Sequence, residues 1–260
     1  MYSLGFVGGG RITRIMLEGF LRKDLLPTDI FVSDVNRENL LEIKRKFPTV
    51  NACESNVIPA TQDMVILAVH PISIENVLVE IKGVLREDAI LVSLAPKYTI
   101  RKMSELLDGF NRIVRMNPNA PSIVNRGFIP VTFSDALGND EKKEIIEFFS
   151  ILGNCFEVDE WKIEAYAVVT GMGPTYFLFQ FKALIDIACE IGLKEEEAFR
   201  AVKEMINGTI SMMFDSGMSY DEVVDLVPLK PLSKHESEIV DMLNRSIKEV
   251  YMKIKPTIPF

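Results

Sequence analysis

Glycine is concentrated at one point near the start of the chain, directly after a short apolar run: Gly8, Gly9 and Gly10. Glycines between a strand and a helix permit a tight turn and let the backbone approach a pyrophosphate, which rests on the first N–H groups of the helix. Here the helix would begin with Arg11 and Ile12, and Thr13 would occupy the third small position of the motif. A plain turn also uses glycine, but the strand-turn-helix context favours a dinucleotide-binding loop.

A polar cluster ends the second apolar run and would lie beside the adenine ribose of such a cofactor. Asp34 is the residue type that binds the free 2′-hydroxyl of NAD. Ser33, Asn36 and Arg37 could instead hold the 2′-phosphate of NADP. The residues therefore leave NADP or NAD open as the cofactor. An ordinary turn at the end of a strand is also compatible with Asp34 and Asn36.

The other chemistry-bearing residue types predict no metal site and no disulfide. The two histidines, His70 and His235, are far apart in sequence and lack metal-ligand spacing. The cysteines are odd in number and lie in apolar surroundings, which predicts reduced core residues: Cys53, Cys155 and Cys189.

Two kinds of segment must position these residues. Over residues 1–158, apolar strands alternate with helices, which predicts an N-terminal Rossmann-like domain with a doubly wound α/β sheet. The expected strands are Leu4–Val7, Ile30–Ser33, Met64–Val69, Ala89–Leu94, Arg112–Met116, Gly127–Phe133 and Cys155–Val158. The expected helices cover about 11–23, 37–46, 73–85, 100–107 and 140–150.

Over residues 159–260 the strand signals vanish, which predicts an all-α C-terminal domain. Its helices are expected near 160–169, 174–191, 195–216 and 236–254. The helix that starts at Pro174 is apolar nearly all round, more than a small helical domain can bury by itself. We therefore expect a homodimer or a higher homo-oligomer. The alternative is a central helix that its own neighbours surround.

The composition of the 260 residues is that of a globular protein, with 48% apolar and 25% charged residues. The net charge of −8 argues against nucleic acid or an anionic membrane as the main partner. The longest apolar stretch, Ala165–Phe181, is too short and too interrupted to span a bilayer. The first apolar run begins at Leu4, which leaves no room for a signal peptide. We expect a cytoplasmic protein that acts on a small molecule.

A set of motifs in a fixed order resembles the pyrroline-5-carboxylate reductase family over nearly the full length of the chain. The motifs are Gly8–Gly10, Ala68–Pro71, Val92–Ala95, Arg115–Pro121 and Thr170–Tyr176. The resemblance implies a Rossmann domain, a helical domain that interlocks with its partner, and reduction of a cyclic imine to proline with NAD(P)H. Such a reaction depends mainly on positioning the hydride donor, and a cyclic imine can enter already protonated, so a strong general acid is optional.

The resemblance also implies roles for individual residues. The glycine loop would hold the pyrophosphate, and further residues would line the cofactor groove: Asn56, Ala68, Val69, His70, Pro71, Ala95, Asn119 and Pro121. The segment Thr170–Tyr176 would face the substrate, with Thr170 as a catalytic hydroxyl. Several positions depart from the family: His70 replaces Lys, Asn117 replaces Met, Ala120 replaces Thr, Met172 replaces Ser and Lys182 replaces Glu.

The largest departure is the segment Pro228–His235, which stands where the family has a Ser-Pro-Gly-Gly-Thr-Thr loop that binds substrate. Ser233 keeps a hydroxyl near a family threonine and is the second candidate catalytic residue, with Lys230, Lys234 and His235 as possible carboxylate ligands. The favoured structural interpretation is instead a capping box, Ser233-x-x-Glu236, at the start of a helix.

Three hypotheses follow from these residues. The leading one is an NAD(P)H-dependent reductase acting on pyrroline-5-carboxylate or a related small imine. The alternative is an NAD(P)-binding family member without proline-forming activity, which acts as a regulatory or interaction protein. A hydroxy-acid dehydrogenase is the third, with Lys182 as a loose candidate for its catalytic base.

Overall fold

The computed structural model describes residues 2–256 and divides into two compact units. Of the described residues, the first contains 2–172 together with 250–256, and the second is Gly173–Glu249. The functional domains 1–158 and 159–260 remain a prediction. By packing, the short segment that precedes Gly173 belongs with the sheet.

The first unit is built on one eight-stranded sheet. Its strands are β1 Leu4–Val7, β2 Ile30–Ser33, β3 Asn51–Cys53, β4 Met64–Leu67, β5 Ile90–Ser93, β6 Ile113–Met116, β7 Gly127–Phe133 and β8 Gly153–Glu157. The order across the sheet is β3-β2-β1-β4-β5-β6-β7-β8. The strands β1 to β6 are parallel, β7 is antiparallel to β6, and β8 is parallel to β7. This confirms the Rossmann-like, doubly wound sheet.

The helices of the first unit connect these strands. They are α1 Arg11–Leu21, α2 Arg37–Lys46, α3 Val57–Ala60, α4 Ile74–Ile81, α5 Ile100–Leu106, α6 Asn139–Ser150 and α7 Ile163–Tyr166. Alternate strand residues point to opposite faces of the sheet. Phe6 joins a core cluster with Met16 and Leu17 of α1, whereas Val7 joins another with Leu78 of α4. The sheet is therefore covered by helices on both faces.

In the first unit, two elements were not predicted from the sequence, and one differs from its prediction. The strand β3 has three residues, two of them exposed, and so leaves no apolar run. The helix α3 has four residues. The helix expected at 160–169 is instead a 3₁₀ turn, Glu160–Lys162, then α7, then a π-helical turn, Ala167–Gly171.

The second unit is helical, as predicted. It contains α8 Pro174–Glu190, α9 Glu195–Asp215 and α10 Tyr220–Asp225, and α11 Glu236–Ile254 begins in it. Neither α8 nor α11 has a buried residue. Although α8 is apolar nearly all round, the described neighbours leave Phe177 53%, Leu178 60% and Phe179 67% exposed. No helix within residues 2–256 combines the length and the apolar character needed to cross a membrane.

Candidate functional site

The predicted cofactor residues of the first unit follow the carboxyl ends of its parallel strands. The glycine loop follows β1, Asp34 follows β2, Ala68 follows β4, and Ala95 follows β5 by one residue. The connections from β1 lead to β2 on one side and, later in the chain, to β4 on the other, so the strand order reverses at β1. In open α/β sheets such a switch point is where ligands bind, outside the carboxyl ends of the strands.

The three glycines of the loop are required for different reasons. Gly8 has φ +107°, and a Cβ there would lie 2.6 Å from the Ala68 carbonyl oxygen. A Cβ at Gly9 would lie 2.9 Å from Cδ1 of Ile43. A Cβ at Gly10 would meet no atom of the described residues within 4 Å. Packing therefore explains the first two glycines, whereas the third keeps the backbone open on a side that the chain leaves empty.

Local hydrogen bonds hold this loop in place. The Thr13 hydroxyl, which is fully buried, donates to the Gly8 carbonyl at 2.6 Å, and the Gly8 N–H donates to the Ser33 carbonyl at 2.9 Å. The helix α1 that follows has no acidic residue in its first turn. The helix itself therefore places no carboxylate beside its first N–H groups, where an anion would rest.

Asp34 connects the glycine loop to the end of β2. Its carboxylate accepts hydrogen bonds from the Gly9 N–H at 2.8 Å, the Asn36 N–H at 2.7 Å and Nδ2 of Asn39 at 3.0 Å. The Asn36 side chain in turn accepts from the Glu38 N–H and caps α2. These hydrogen bonds agree with the interpretation that Asp34 and Asn36 form a turn at the end of β2. Asn39 is an additional partner of Asp34 that was not predicted from the sequence.

Two arginines lie at the starts of the helices that follow β1 and β2. Arg11 and Arg37 are both exposed, and neither has an ion-pair partner within the part of the chain that the structure describes. Ile12, next to Arg11, is half-buried and packs against the core. Two unpaired guanidinium groups beside a glycine loop are suited to bind phosphate oxygens.

Asn56 and Ser33 form a second polar link along this edge. The Ser33 hydroxyl donates to Oδ1 of Asn56 at 2.7 Å, and Nδ2 of Asn56 donates to Oε2 of Glu80 at 2.7 Å. Glu80 lies on α4 and was not predicted. Both Ser33 and Asn56 are therefore held in fixed orientations.

The segment after β4 turns at His70. Its Nδ1 accepts from the Ile72 N–H at 3.4 Å, so the imidazole caps the 3₁₀ turn Pro71–Ser73. Ala68 and Val69, which precede it, are half-buried, and the imidazole itself is exposed. After β5, Ala95 is buried and its N–H donates to the Ser93 hydroxyl at 3.3 Å.

Asn119 links the segment after β6 to the predicted substrate side. Its Nδ2 donates to the Thr170 carbonyl at 3.0 Å, and its Oδ1 accepts from the Phe128 N–H at 3.0 Å. The Thr170 hydroxyl donates to the Tyr166 carbonyl at 2.9 Å. Thr170 lies in the π-helical turn Ala167–Gly171. Distortions of this type are frequent at functional sites. Pro121 lies in the adjacent 3₁₀ turn, Ala120–Val124.

A buried ion cluster, unforeseen in the sequence, fixes the same region. Arg115 of β6 is only 1% exposed and donates to Oε1 of Glu160 at 2.9 Å and to Oε1 of Glu164. The same two carboxylate oxygens accept the backbone N–H of Ile100 at 2.7 Å and of Lys97 at 3.2 Å. The cluster therefore fastens the loop after β5 and the turn before α7 to the sheet.

Ser233, the other predicted catalytic residue, belongs to the second unit. The capping box predicted at Ser233 and Glu236 is wrong, because Ser233 lies inside a 3₁₀ turn, Ser233–His235, whose N-cap is Leu232. A cavity of about 570 Å³ lies beside it, with walls that are mainly apolar. Its lining includes Met212, Met213, Val223, Val227, Leu232 and Val240.

Lys182 forms an ion pair along α8. Its Nζ lies 2.5 and 2.6 Å from the two carboxylate oxygens of Asp186, and its side chain is 71% exposed. The hydrogen bond to Asp186 raises the pKa of Lys182. A base must lose its proton at working pH, so this environment opposes the dehydrogenase role.

Known proteins resemble this chain in both of its parts. Residues 3–97 match the family described as "NADP oxidoreductase coenzyme F420-dependent", and residues 160–229 match "Pyrroline-5-carboxylate reductase dimerisation". The pyrroline-5-carboxylate reductase of Corynebacterium melassecola is 26% identical over 226 residues, which is 86% of this chain and 84% of that protein. The chain is therefore similar to pyrroline-5-carboxylate reductases over most of its length. These matches identify the protein as an NAD(P)-dependent oxidoreductase.

Solved structures of pyrroline-5-carboxylate reductases have the same fold. The Coxiella burnetii reductase is 26% identical, with a TM-score of 0.71 over 97% of this chain and 94% of that one. The Plasmodium falciparum pyrroline carboxylate reductase, solved with NADP bound, is 24% identical, with a TM-score of 0.77 over the same shares of the two chains. The first family match contains the glycine loop and the second contains Thr170, but the second ends at residue 229, before Ser233.

Proposed function

We propose that this protein is an NAD(P)H-dependent reductase that transfers hydride to the C=N bond of pyrroline-5-carboxylate, or of a closely related small imine. The observation that carries the proposal is the glycine loop: the side of Gly10 is open while Gly8 and Gly9 are fixed by packing. A fold that keeps one backbone face clear at a helix N-terminus is fitted to a pyrophosphate. Similarity to pyrroline-5-carboxylate reductases supports the reaction class.

Residues of the first unit would bind the cofactor. The amides at the start of α1 would hold the pyrophosphate, with Arg11 and Arg37 adding charge at the two helix starts. Ser33, Asp34, Asn36 and the segments after β4, β5 and β6 would line the rest of the groove. When bound, NAD(P)H supplies the hydride. Because the protein carries a net charge of −8, these few positive groups must attract the dinucleotide locally.

Thr170 would act on the substrate side. Its hydroxyl hydrogen is donated to the Tyr166 carbonyl, which leaves the oxygen lone pairs free to accept a hydrogen bond from a protonated imine nitrogen. The chain would then orient an imine that already carries its proton, and the electron pair of the C=N bond would become the nitrogen lone pair of the amine as the carbon receives hydride. Orientation of the two reactants is the main contribution the protein has to make.

We propose a homodimer formed through the second unit. The α8 side chains Phe177, Leu178 and Phe179 are each more than half exposed in the single chain. An apolar patch of this kind marks an interaction surface. The match of residues 160–229 to a dimerisation family supports a second copy as the partner.

A second candidate is a family member that binds NAD(P) without forming proline. The segment Pro228–His235 favours it, because the segment contains no glycine where the family loop has two, and glycine is what allows the backbone to approach a ligand closely. Ser233 would then serve the 3₁₀ turn before α11 rather than a substrate. The dimerisation-family match ends within this segment, at residue 229.

Turnover assays separate the two candidates. Purified protein is incubated with NADPH or NADH and pyrroline-5-carboxylate, and loss of reduced cofactor is followed together with proline formation. The leading proposal expects equal amounts of cofactor oxidised and proline formed. Cofactor binding without turnover would favour the second candidate. A Gly10→Val variant is the control, because a branched side chain there should block the pyrophosphate and abolish both binding and turnover.

A further inference from the structure

Asn117 is the first residue after β6 and lies at the edge of the sheet where the cofactor residues gather. Its backbone N–H donates to the Pro130 carbonyl at 3.1 Å, which holds the residue to β7. A Cβ built at Gly171 would lie 3.0 Å from Nδ2 of Asn117 and 3.6 Å from its Oδ1. The side-chain amide therefore lies against the last residue of the π-helical turn, next to Thr170.

The Nδ2 group of Asn117 is buried, and it has no hydrogen-bond partner within residues 2–256. An amide nitrogen carries two N–H donors, and burying them without a hydrogen-bond partner is unfavourable. Its neighbour Asn119 shows the contrast, since its Nδ2 and Oδ1 both have backbone partners. Buried polar groups without partners are rare in folded proteins, and each needs an explanation.

The position of the amide limits what can satisfy it. The donor faces the turn that carries Thr170, at the carboxyl edge of the sheet, and this edge is where a bound reactant would lie. The complementary group is an oxygen that accepts a hydrogen bond, either the carboxamide carbonyl of a nicotinamide or the carboxylate of an imino acid. The leucine side chain has nearly the same shape as asparagine but carries no donor, so Asn117→Leu removes this hydrogen bond with little change in volume.

We infer that Asn117 donates a hydrogen bond from Nδ2 to an oxygen of the bound reactants and so helps to select and orient them. The inference rests on the proposed function, because it requires a ligand at the carboxyl edge of the sheet. It adds a binding residue that neither the glycine loop nor the Thr170 turn supplies.

The test compares wild-type protein, Asn117→Leu and the control Asn111→Leu, which changes an exposed asparagine at the opposite end of β6. The thermal midpoint without ligand, the dissociation constant for NADPH and the KM for pyrroline-5-carboxylate are measured for each. Asn117→Leu is expected to leave the midpoint unchanged or to raise it, because an unpaired buried donor is removed. Either the dissociation constant or the KM should rise about tenfold, as expected for one lost hydrogen bond. Asn111→Leu should change neither.

Weaker NADPH binding would identify the carboxamide as the acceptor, whereas an increased KM with unchanged NADPH binding would identify the substrate carboxylate. The inference is overturned if Asn117→Leu changes neither constant, or if it lowers the ligand-free midpoint as a purely structural residue would. A wild-type protein that binds no NADPH would refute the proposed function itself and remove the ligand on which Asn117 depends. Because this outcome is measured on the wild-type protein alone, it is distinguishable from a failure of the inference about Asn117.

Discussion

The two units of this chain differ in how far each buries its own apolar residues. In the first unit every residue of β1, β4, β5 and β6 is buried. In the second, the buried apolar side chains among the described residues are Ala198, Val202 and Val223. Burial of one large apolar side chain stabilises a folded protein by about 1.5–3 kcal/mol. The first unit therefore gains its stability from its own core. The second leaves large apolar side chains such as Phe177, Leu178 and Phe179 exposed, and the proposed dimer would cover them.

The difference also divides the work of the proposed enzyme. The sheet unit carries the groups that would bind the cofactor, and its rigidity comes from contacts that a single chain completes. The helical unit would bring two chains together. A substitution in each unit should therefore have a characteristic consequence, either loss of assembly or loss of the single chain's own stability.

The largest effect is expected from a charge on α8. Leu178→Glu, at a side chain 60% exposed in the single chain, would place an unpaired carboxylate in the dimer contact. We expect the variant to be monomeric even at protein concentrations of roughly 1 μM and above, at which the wild-type dimer should remain associated. Light scattering coupled to size-exclusion chromatography measures the mass. The matched control is Leu41→Glu on α2, where the leucine is 61% exposed and the dimer should survive. A dimeric Leu178→Glu protein would contradict the role of α8.

Arg115→Leu tests the internal stability of the first unit. It leaves Glu164, which is 1% exposed, without its buried guanidinium partner and should lower the free energy of unfolding by about 3–5 kcal/mol. Urea unfolding measures the change. Arg112→Leu is the control, since the Arg112–Glu141 pair is partly exposed and should contribute about 1 kcal/mol or less. Equal effects of the two substitutions would show that the buried cluster has no special role.

Substitutions at Gly8 and Gly10 should separate an effect on stability from an effect on cofactor binding within one loop. Gly8→Ala should cost roughly 1–3 kcal/mol from its left-handed backbone alone, and more from the contact of its Cβ with Ala68. Gly10→Ala should leave stability unchanged, because its Cβ meets no described atom, and should weaken NADPH binding about tenfold by occupying the pyrophosphate side. Urea unfolding and fluorescence titration measure the two effects. Wild-type affinity in Gly10→Ala would contradict the placement of the cofactor.

The smallest effect is the one that Leu178→Glu should have on the Cys155 thiol, namely none. Burial raises its pKa from 9.0 to about 12. The folded state therefore favours the neutral thiol, and the resulting stability is complete below pH 9 and is lost as the pH rises toward 12. At pH 8 the thiolate fraction should be about a thousandfold lower than in the unfolded chain, as measured by maleimide labelling with and without urea. Because this burial comes from the first unit's own core, Leu178→Glu should not speed the labelling. Faster labelling would show that the core depends on assembly.

Local patterns were enough to predict most of the fold. Apolar runs bounded by polar residues predicted β1, β2 and β7 at their observed limits, and the glycine loop predicted the turn into α1. The three-residue β3 left no such pattern, because pairing with β2, rather than its own composition, makes it a strand. Ser233 and Glu236 have the spacing of a capping box, but the preceding residues already form a 3₁₀ turn.

The groups missed in the site depend on contacts between distant residues. Arg115 meets Glu160 and Glu164 across 45 and 49 residues, and Asn56 meets Glu80 across 24. One signal was present, namely an arginine inside the otherwise apolar run Ile113–Met116, since a charge on a buried strand requires a buried partner. Nothing in the sequence named that partner, because Glu160 and Glu164 look like ordinary exposed helix residues.

Transfer of a labelled hydride tests the central claim most directly. Wild-type protein is given NADPH carrying deuterium at the transferable position together with pyrroline-5-carboxylate, and the product is analysed by mass spectrometry. We expect proline that contains one deuterium. The Gly10→Ala variant should form this product more slowly when NADPH is limiting. Proline without deuterium, or no proline from protein that binds NADPH, would contradict the assignment of this chain as a hydride-transferring imine reductase.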